Sequence, residues 1–325
     1  MARFIFITGG VAMATDKKII IPGAAGLVGQ NLIIALKEKG YKNIVAFDKH
    51  PANTEILRKL HPDIEVIEAD ISVPGKWQEA CLNGEVVVML QAQIGSKESA
   101  PFVRNNIEST RMMLETMKTH QIPYVVHISS SVVESVADDD YTKTKKAQED
   151  LVIASDLDYC ILRPTLMFGW FDRKHLGWLS RFMQKVPVFP IPGNGKYMRQ
   201  PLYVRDFCNI IVSCLESEPK NEMYNITGRE NVDYVDIIRM IRDTIRAKTL
   251  IIHIPYWLFW SLLKIYVLFD KDPPFTADQL KALVAGDEFE VIPWWDIFKV
   301  EPTPFKKAIE ETFRDPIYSI YELKF

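Results

Sequence analysis

The chain has 325 residues, 48% of them hydrophobic and 25% charged, with a formal net charge of −3. That length can bury a substantial core in one large or two modest domains of an ordinary globular protein. The near-neutral balance argues against nucleic-acid binding. The four scattered cysteines, Cys81, Cys160, Cys208 and Cys214, form no CxxC pair and lack His-rich companions. That spacing argues against a metal centre and against a secreted disulfide framework, and implies buried, reduced thiols in a cytoplasmic protein.

The opening MARFIFITGGVAM is apolar but has neither a basic n-region nor a small-residue cleavage site, so it is a poor signal peptide. It is similar to the opening strand of CTP synthase, without the phosphate-binding loop that follows there. A second start, Met13-Ala-Thr-Asp-Lys-Lys, immediately precedes the first patterned strand. Residues 1–12 therefore read as a leader, and Gly9-Gly10 is set aside from nucleotide binding.

From Lys17 onward short apolar strands alternate with helical segments. Lys18–Pro22 is a strand, Leu27–Lys39 a helix and Asn43–Phe47 a strand, followed by a helix containing Leu57 and Leu60. Ile64–Ile67, Val86–Leu90 and Tyr124–Ile128 are further β-branched runs. Strands that are apolar at nearly every position and alternate with helices predict a parallel sheet covered on both faces. Right-handed crossovers make it a doubly wound, Rossmann-type α/β fold. After Arg163 the rhythm changes to a Pro- and Gly-rich stretch with Pro187, Pro190, Pro192, Gly193 and Gly195, then a helix near Asp206–Leu215. The expected division is a Rossmann domain over 13–165, joined by some later chain, and a smaller mixed α/β substrate-binding domain over 166–325.

Gly23-Ala24-Ala25-Gly26-Leu27-Val28-Gly29 follows the first strand and opens a helix. Glycines there let the backbone approach a pyrophosphate, whose charge is favoured by the free N–H groups at the helix start. Asp48 ends the second strand, 25 residues beyond Gly23. A carboxylate at that position accepts hydrogen bonds from both ribose hydroxyls and repels a 2′-phosphate, which favours NAD over NADP. Asp70, in EADIS, ends the third strand and is expected at the adenine edge beside Ile71.

Tyr141-Thr-Lys-Thr-Lys145 puts a phenol and an ammonium four residues apart on one helix face. An ammonium beside a phenol is expected to lower its pKa from about 10, so that the pair relays a proton from a substrate hydroxyl. Lysine can also hold the nicotinamide ribose. The preceding strand runs into Ser129-Ser130-Ser131, at the carboxyl edge where open α/β sheets bind ligands.

Over about residues 17–230 the chain resembles the NAD-dependent epimerase/dehydratase family, the extended short-chain dehydrogenases. IPGAAGLVG is similar to the family's glycine loop, with Pro22 in place of the usual threonine. VVVMLQAQ resembles the fourth strand, whose end (Leu90, Gln91 and Ala92) the resemblance places against the cofactor; Gln91 stands where a small residue is usual. NNIESTRMMLE carries Asn106 as the motif's structural and catalytic asparagine. ISSSVV favours Ser131 as the hydroxyl beside Tyr141, and YTKTKKAQEDLV fits the active-site helix. LRPTLMFG, with Pro164, resembles the strand whose loop meets nicotinamide and substrate. PGNGKYMRQPLYVRDF resembles the segment that supplies a diphosphate-binding arginine, here Arg199, before Val204 and Asp206.

The resemblance implies an NAD-dependent enzyme in which Tyr141 deprotonates a sugar hydroxyl while Ser131 steadies the developing carbonyl oxygen. Family dehydratases carry an Asp-Glu pair after the active-site hydroxyl, where this chain has Val132-Val133. That favours a nucleotide-sugar epimerase, acting on a UDP-sugar through a keto intermediate, as a homodimer packed through the helices at Asn106–Met117 and Tyr141–Ala154. Ile254–Phe269 is the most apolar stretch, broken by Pro255, Ser261 and Lys264 and shorter than the roughly 20 apolar residues a spanning helix needs. It reads first as a core or interdomain helix, with an interfacial membrane contact as the alternative. The tail segments PPFTADQLKALVAGDEF and PTPFKKAIEETF resemble a subgroup that includes an accessory subunit of respiratory complex I. A hydroxysteroid or lipid-alcohol dehydrogenase, and a non-catalytic NAD-binding assembly subunit, are the competing readings.

Overall fold

Seven short runs rich in Ile and Val align into one parallel sheet. The computed structural model describes residues 16–136, 138–269, 280–281, 283–284 and 289–324, the side chains of 266–269 excepted. The leader at 1–12, the start at Met13, Pro273-Pro274 and most of the PPFTADQLKALVAGDEF segment lie outside the described residues. The strands are β1 (Ile19–Pro22), β2 (Ile44–Asp48), β3 (Glu65–Glu68), β4 (Val86–Met89), β5 (Tyr124–Ile128) and β6 (Asp158–Pro164). Next come the short strands β7 (Met167–Phe168), β8 (Val188–Pro192), β9 (Met198–Arg199) and β10 (Leu202–Tyr203), then β11 (Glu222–Ile226), β12 (Val232–Asp233) and β13 (Leu250–Ile254).

The main sheet has the order β11-β6-β5-β4-β1-β2-β3, with every pairing parallel. The order reverses between β1 and β4, and the crevice at the carboxyl ends of those strands is where such sheets bind ligands. Alternate side chains face opposite layers. Ile19, Ile21, Val86, Val88 and Val126 enter one buried cluster, while Ile20, Val87, Met89, Val125 and Ile161 enter the other.

The first layer is built by α1 (Leu27–Glu38) together with a later helix. On the other side lie α4 (Ser109–Thr119) and α5 (Asp140–Ile153), while α2 (Pro51–Leu60) packs near β3. A short α3 (Ala100–Phe102) continues through a π-helical stretch, Val103–Glu108, into α4. The chain then leaves the sheet for α6 (Leu176–Lys185) and returns to it. Helix α7 (Val204–Ser217) packs on α1, and β11 adds the outermost strand beside β6. Trp294 of α10 (Trp294–Ile297), with Phe298 and Val300, also enters the first cluster. A further core joins Phe168, Met183, Ile191, Ile238, Ile241 and Ile309, drawn from α6, α8 (Tyr234–Ile245) and α11 (Phe305–Arg314) and the short strands around them. All four cysteines are buried and free, and Cys160 and Cys214 face each other with sulfurs 3.8 Å apart.

The apolar run forms helix α9 (Tyr256–Phe269), but not in a core. Trp257 is 67% exposed, and Leu262 and Ile265 are each 51% exposed. Apolar side chains surround the axis, so packing against a single neighbour could not cover them. The core-helix expectation is therefore overturned.

Candidate active site

The glycine loop joins β1 to α1, and its three glycines meet different demands. Gly23 has φ +80°, and a Cβ there would lie 2.6 Å from the Gln91 backbone nitrogen, so the end of β4 presses directly on the loop. A Cβ on Gly29 would fall 2.3 Å from the Ala24 carbonyl oxygen, closing helix against loop. Gly26 differs: its nearest obstacle would be the Gly23 oxygen at 3.4 Å. It is the N-cap of α1 with extended backbone and no side-chain cap. The N–H groups of Leu27, Val28 and Gly29 form the first turn, whose donors have no partners within the helix. A cradle that a side chain at position 26 would fill, lined by the positive end of a helix, fits a pyrophosphate.

The Asp48 carboxylate ends β2 beside this loop and accepts hydrogen bonds from Ala25 N (3.1 Å) and His50 N (3.0 Å). Burial pushes its carboxyl above the ordinary value, and the backbone N–H groups and nearby His50 partly offset this. Asp70 lies beyond the end of β3 rather than in it. Its carboxylate accepts from the Ser72 N–H and hydroxyl and pairs with Arg104 at 2.7 Å. Burial alone would raise its pKa, but those partners together hold it below the usual range. Ile71 is buried against the second cluster.

Leu90 N donates to Pro22 O, which holds the exit of β4 against the loop. Gln91, followed by Ala92, turns its amide nitrogen toward the Thr110 hydroxyl at 3.4 Å, while its amide oxygen is buried without a partner among the described residues. Asn106 lies in the π-helical stretch, a distortion common at functional sites. Its amide accepts from Gln93 N (2.6 Å) and donates to the Thr144 hydroxyl (2.9 Å). It thus clamps the segment after β4 onto α5.

Helix α5 opens on Asp139, whose side chain caps Thr142 N at 2.9 Å, and carries Tyr141 and Lys145 to the carboxyl edge of the sheet. The structure corrects one expectation here: Lys145 does not lower the phenol. Burial raises Tyr141 above its usual value, with the nearby Ser130 hydroxyl opposing and Asp139 adding to the rise. Ser130 is the extended N-cap residue of the short 3₁₀ segment Ser131–Glu134 that follows β5. The Lys145 ammonium instead points into the protein, donates to Ile128 O at 2.9 Å and is 1% exposed. Burial lowers its pKa to about 7, against the upward pull of Glu149.

Glu149, one turn beyond Lys145, is gripped by both arms of Arg163, at 2.9 and 2.6 Å. Arg163 also reaches Glu134, which accepts from Asn225 on the returning strand β11. No sequence motif marks this network, although Lys145 and Glu149 stand four residues apart. His127 on β5 is fully buried with neither ring nitrogen partnered among the described residues, and burial together with Lys145 keeps it neutral. Ser129, also buried, likewise leaves its hydroxyl unpartnered. Pro164 ends β6 at the same edge. Arg199 is on β9, paired antiparallel with β12, and its guanidinium donates to Leu283 O. The described residues contain no group of acidic, His or Cys side chains that could hold a metal ion.

The model of the NAD-dependent epimerase/dehydratase family matches residues 19–227. The chain is similar to a ceramide reductase from Caulobacter vibrioides, 25% identical over 247 residues, covering 75% of this chain and 76% of that protein. It also resembles mitochondrial NADH dehydrogenase 1 alpha subcomplex subunit 9 of Arabidopsis thaliana, 22% identical over 255 residues, covering 77% of this chain and 63% of the relative. Among solved structures, UDP-glucuronic acid 4-epimerase from Bacillus cereus, in complex with NAD, superposes with a TM-score of 0.66. That pair is 22% identical and covers 91% of this chain and 97% of the other.

Proposed function

Because this chain belongs to the NAD-dependent epimerase/dehydratase family, we propose that it is a nucleotide-sugar epimerase that oxidises a sugar hydroxyl, on a UDP-sugar by preference, through a keto intermediate. The observation that carries the reading is the Tyr141 phenol, beside Ser130 at the sheet edge where the glycine cradle opens. The family's cofactor, NAD, supplies a reversible hydride acceptor. Leu27, Val28 and Gly29 offer the pyrophosphate their N–H groups, and Asp48 selects the unphosphorylated ribose. Tyr141 takes the proton from the substrate hydroxyl, and Ser130, in the role first read onto Ser131, steadies the carbonyl oxygen. Lys145, which donates one ammonium hydrogen to Ile128 O, would hold the nicotinamide ribose with another, and Asn106 keeps α5 in register with the strand end. Arg199 receives the substrate diphosphate. None of Ser131, Val132 and Val133, the residues that follow Ser130, is a carboxylic acid, so no acid–base pair stands there for eliminating water, which favours epimerisation over dehydration.

The substrate lobe in this reading is the chain from 166 onward, less α7, β11 and the 294–300 segment, which pack with the Rossmann sheet. A cytoplasmic homodimer through α4 and α5 belongs to the same reading, and exposed Ile153 lies on that face. The similarity to a ceramide reductase, together with exposed α9, favours a second reading in which the alcohol belongs to a lipid. The retained Tyr141 and Lys145 count against a purely structural subunit. The test is incubation with NAD and a panel of UDP-hexoses. A C4 epimer without net NADH supports epimerisation; stoichiometric NADH with a lipid alcohol and no epimer supports the second reading.

A further inference from the structure

Helix α9 stands apart from the site just described. Apart from the phenols of Tyr256 and Tyr266, its 14 residues contain only Ser261 and Lys264 as polar side chains, and Trp257, Trp260, Leu262 and Ile265 are all exposed. The apolar surface continues onto the strands that lead to it. Leu250 of β13 pairs in register with Val188 of β8, and these two are 61% and 39% exposed. Gly193 N donates to Ile254 O, and the His253 ring bonds Gly193 O, so the loop carrying Lys196 is fastened beside the start of α9.

The charge of this region is one-sided. Neither 186–205 nor 244–269 contains an Asp or Glu, although the chain as a whole has a net charge of −3. Lys196, Arg246, Lys248 and Lys264 are all exposed there. The Lys264 ammonium lies 5.4 Å from the centre of the Trp260 ring, an arrangement that lets the stem cover apolar surface while the charge stays wet. No helix among the described residues is long and apolar enough to cross a membrane. A second copy of the chain suits this face poorly, because a two-fold contact would set the same cations against one another. Anionic headgroups over an apolar interior suit both its charge and its indoles.

We propose that α9, with Leu250 and Val188, is a lipid-docking surface that lies flat in the headgroup region of an anionic bilayer. This inference is independent of the substrate and of the catalytic reading. The full chain should float with vesicles of phosphatidylcholine and phosphatidylglycerol and bind pure phosphatidylcholine roughly tenfold less, with binding weakened by salt. Trp257→Gln/Trp260→Gln should reduce flotation by about tenfold or more, and Lys248→Glu/Lys264→Glu by a similar factor. Melting temperature and NAD affinity, measured on each variant, should stay unchanged and so verify folding. Three results would overturn the proposal: no flotation of the wild type, flotation indifferent to both double variants, or self-association that the tryptophan substitutions abolish. The last would make α9 a protein interface.

Discussion

Replacing Gly26 and Gly29 separately by alanine should divide cofactor approach from internal packing. At Gly29 the new methyl would sit 2.3–2.5 Å from the O, C and Cα atoms of Ala24, which are backbone atoms and cannot rotate aside. Overpacking of that kind costs about 1–3 kcal/mol or more, and in a domain of this class each kcal/mol lowers Tm by roughly 2–4 °C. At Gly26 the nearest atom is 3.4 Å away and φ is −79°, which any L residue adopts, so the fold should tolerate alanine at a cost of no more than about 1 kcal/mol for the poorer cap. The same methyl would project into the pyrophosphate cradle. NAD affinity should fall at least about tenfold, or roughly 1.4 kcal/mol. Calorimetry with NAD, paired with thermal melts, reads both quantities. If Gly26→Ala bound NAD as wild type does, or melted as low as Gly29→Ala, the assignment of the cradle would be refuted.

Further consequences follow from neighbouring groups. NAD should bind at least about tenfold more tightly than NADP, and Asp48→Asn should narrow that gap; equal affinities in the wild type would remove the role of Asp48. Buried His127, and His61 with its pKa lowered to about 4, stay neutral where the unfolded chain takes up protons near pH 6.5. The unfolded state then binds more protons, so stability should fall as pH drops from about 7 towards 5. Lys145 acts with the same sign at higher pH. Its folded pKa of about 7 lies below the unfolded value near 10.5, so stability should rise with pH across that window, and Lys145→Met should flatten the rise. Denaturant melts at stepped pH check both; a pH-independent wild type would contradict them. Light scattering at micromolar concentration should give a dimer, and Ile153→Arg on α5 should shift it towards monomer.

The parallel sheet was legible because its strands, buried on both faces, write near-continuous Ile and Val runs, and because the glycine loop falls between strand and helix. Tyr141 and Lys145 were legible as a pair on one helix face. Their electrostatic relation was not. Spacing places two side chains on one side of a helix but does not say which is turned inward, and Lys145 finds the Ile128 carbonyl rather than the phenol. Which serine stands to the phenol as Ser130 does depends on the residue at which the chain after β5 turns into a 3₁₀ segment, a boundary that a run of three serines conceals. The return of β11 and the Arg163 grip on Glu149 are long-range contacts with no local pattern. Helix α9 misled for a different reason: a helix apolar on all sides has the same composition whether protein or lipid covers it.

In the proposed reaction, Tyr141 moves the proton during NAD-dependent oxidation of a substrate hydroxyl. The measurement that tests it most directly is turnover by Tyr141→Phe, alongside its NAD affinity, on whichever UDP-hexose or alcohol the wild type converts. Turnover should fall by roughly 10²–10⁴, the usual contribution of general acid–base catalysis, with NAD affinity nearly intact. Lys145→Met, by contrast, should lose both. Turnover by Tyr141→Phe equal to that of the wild type would contradict the claim, whatever the substrate.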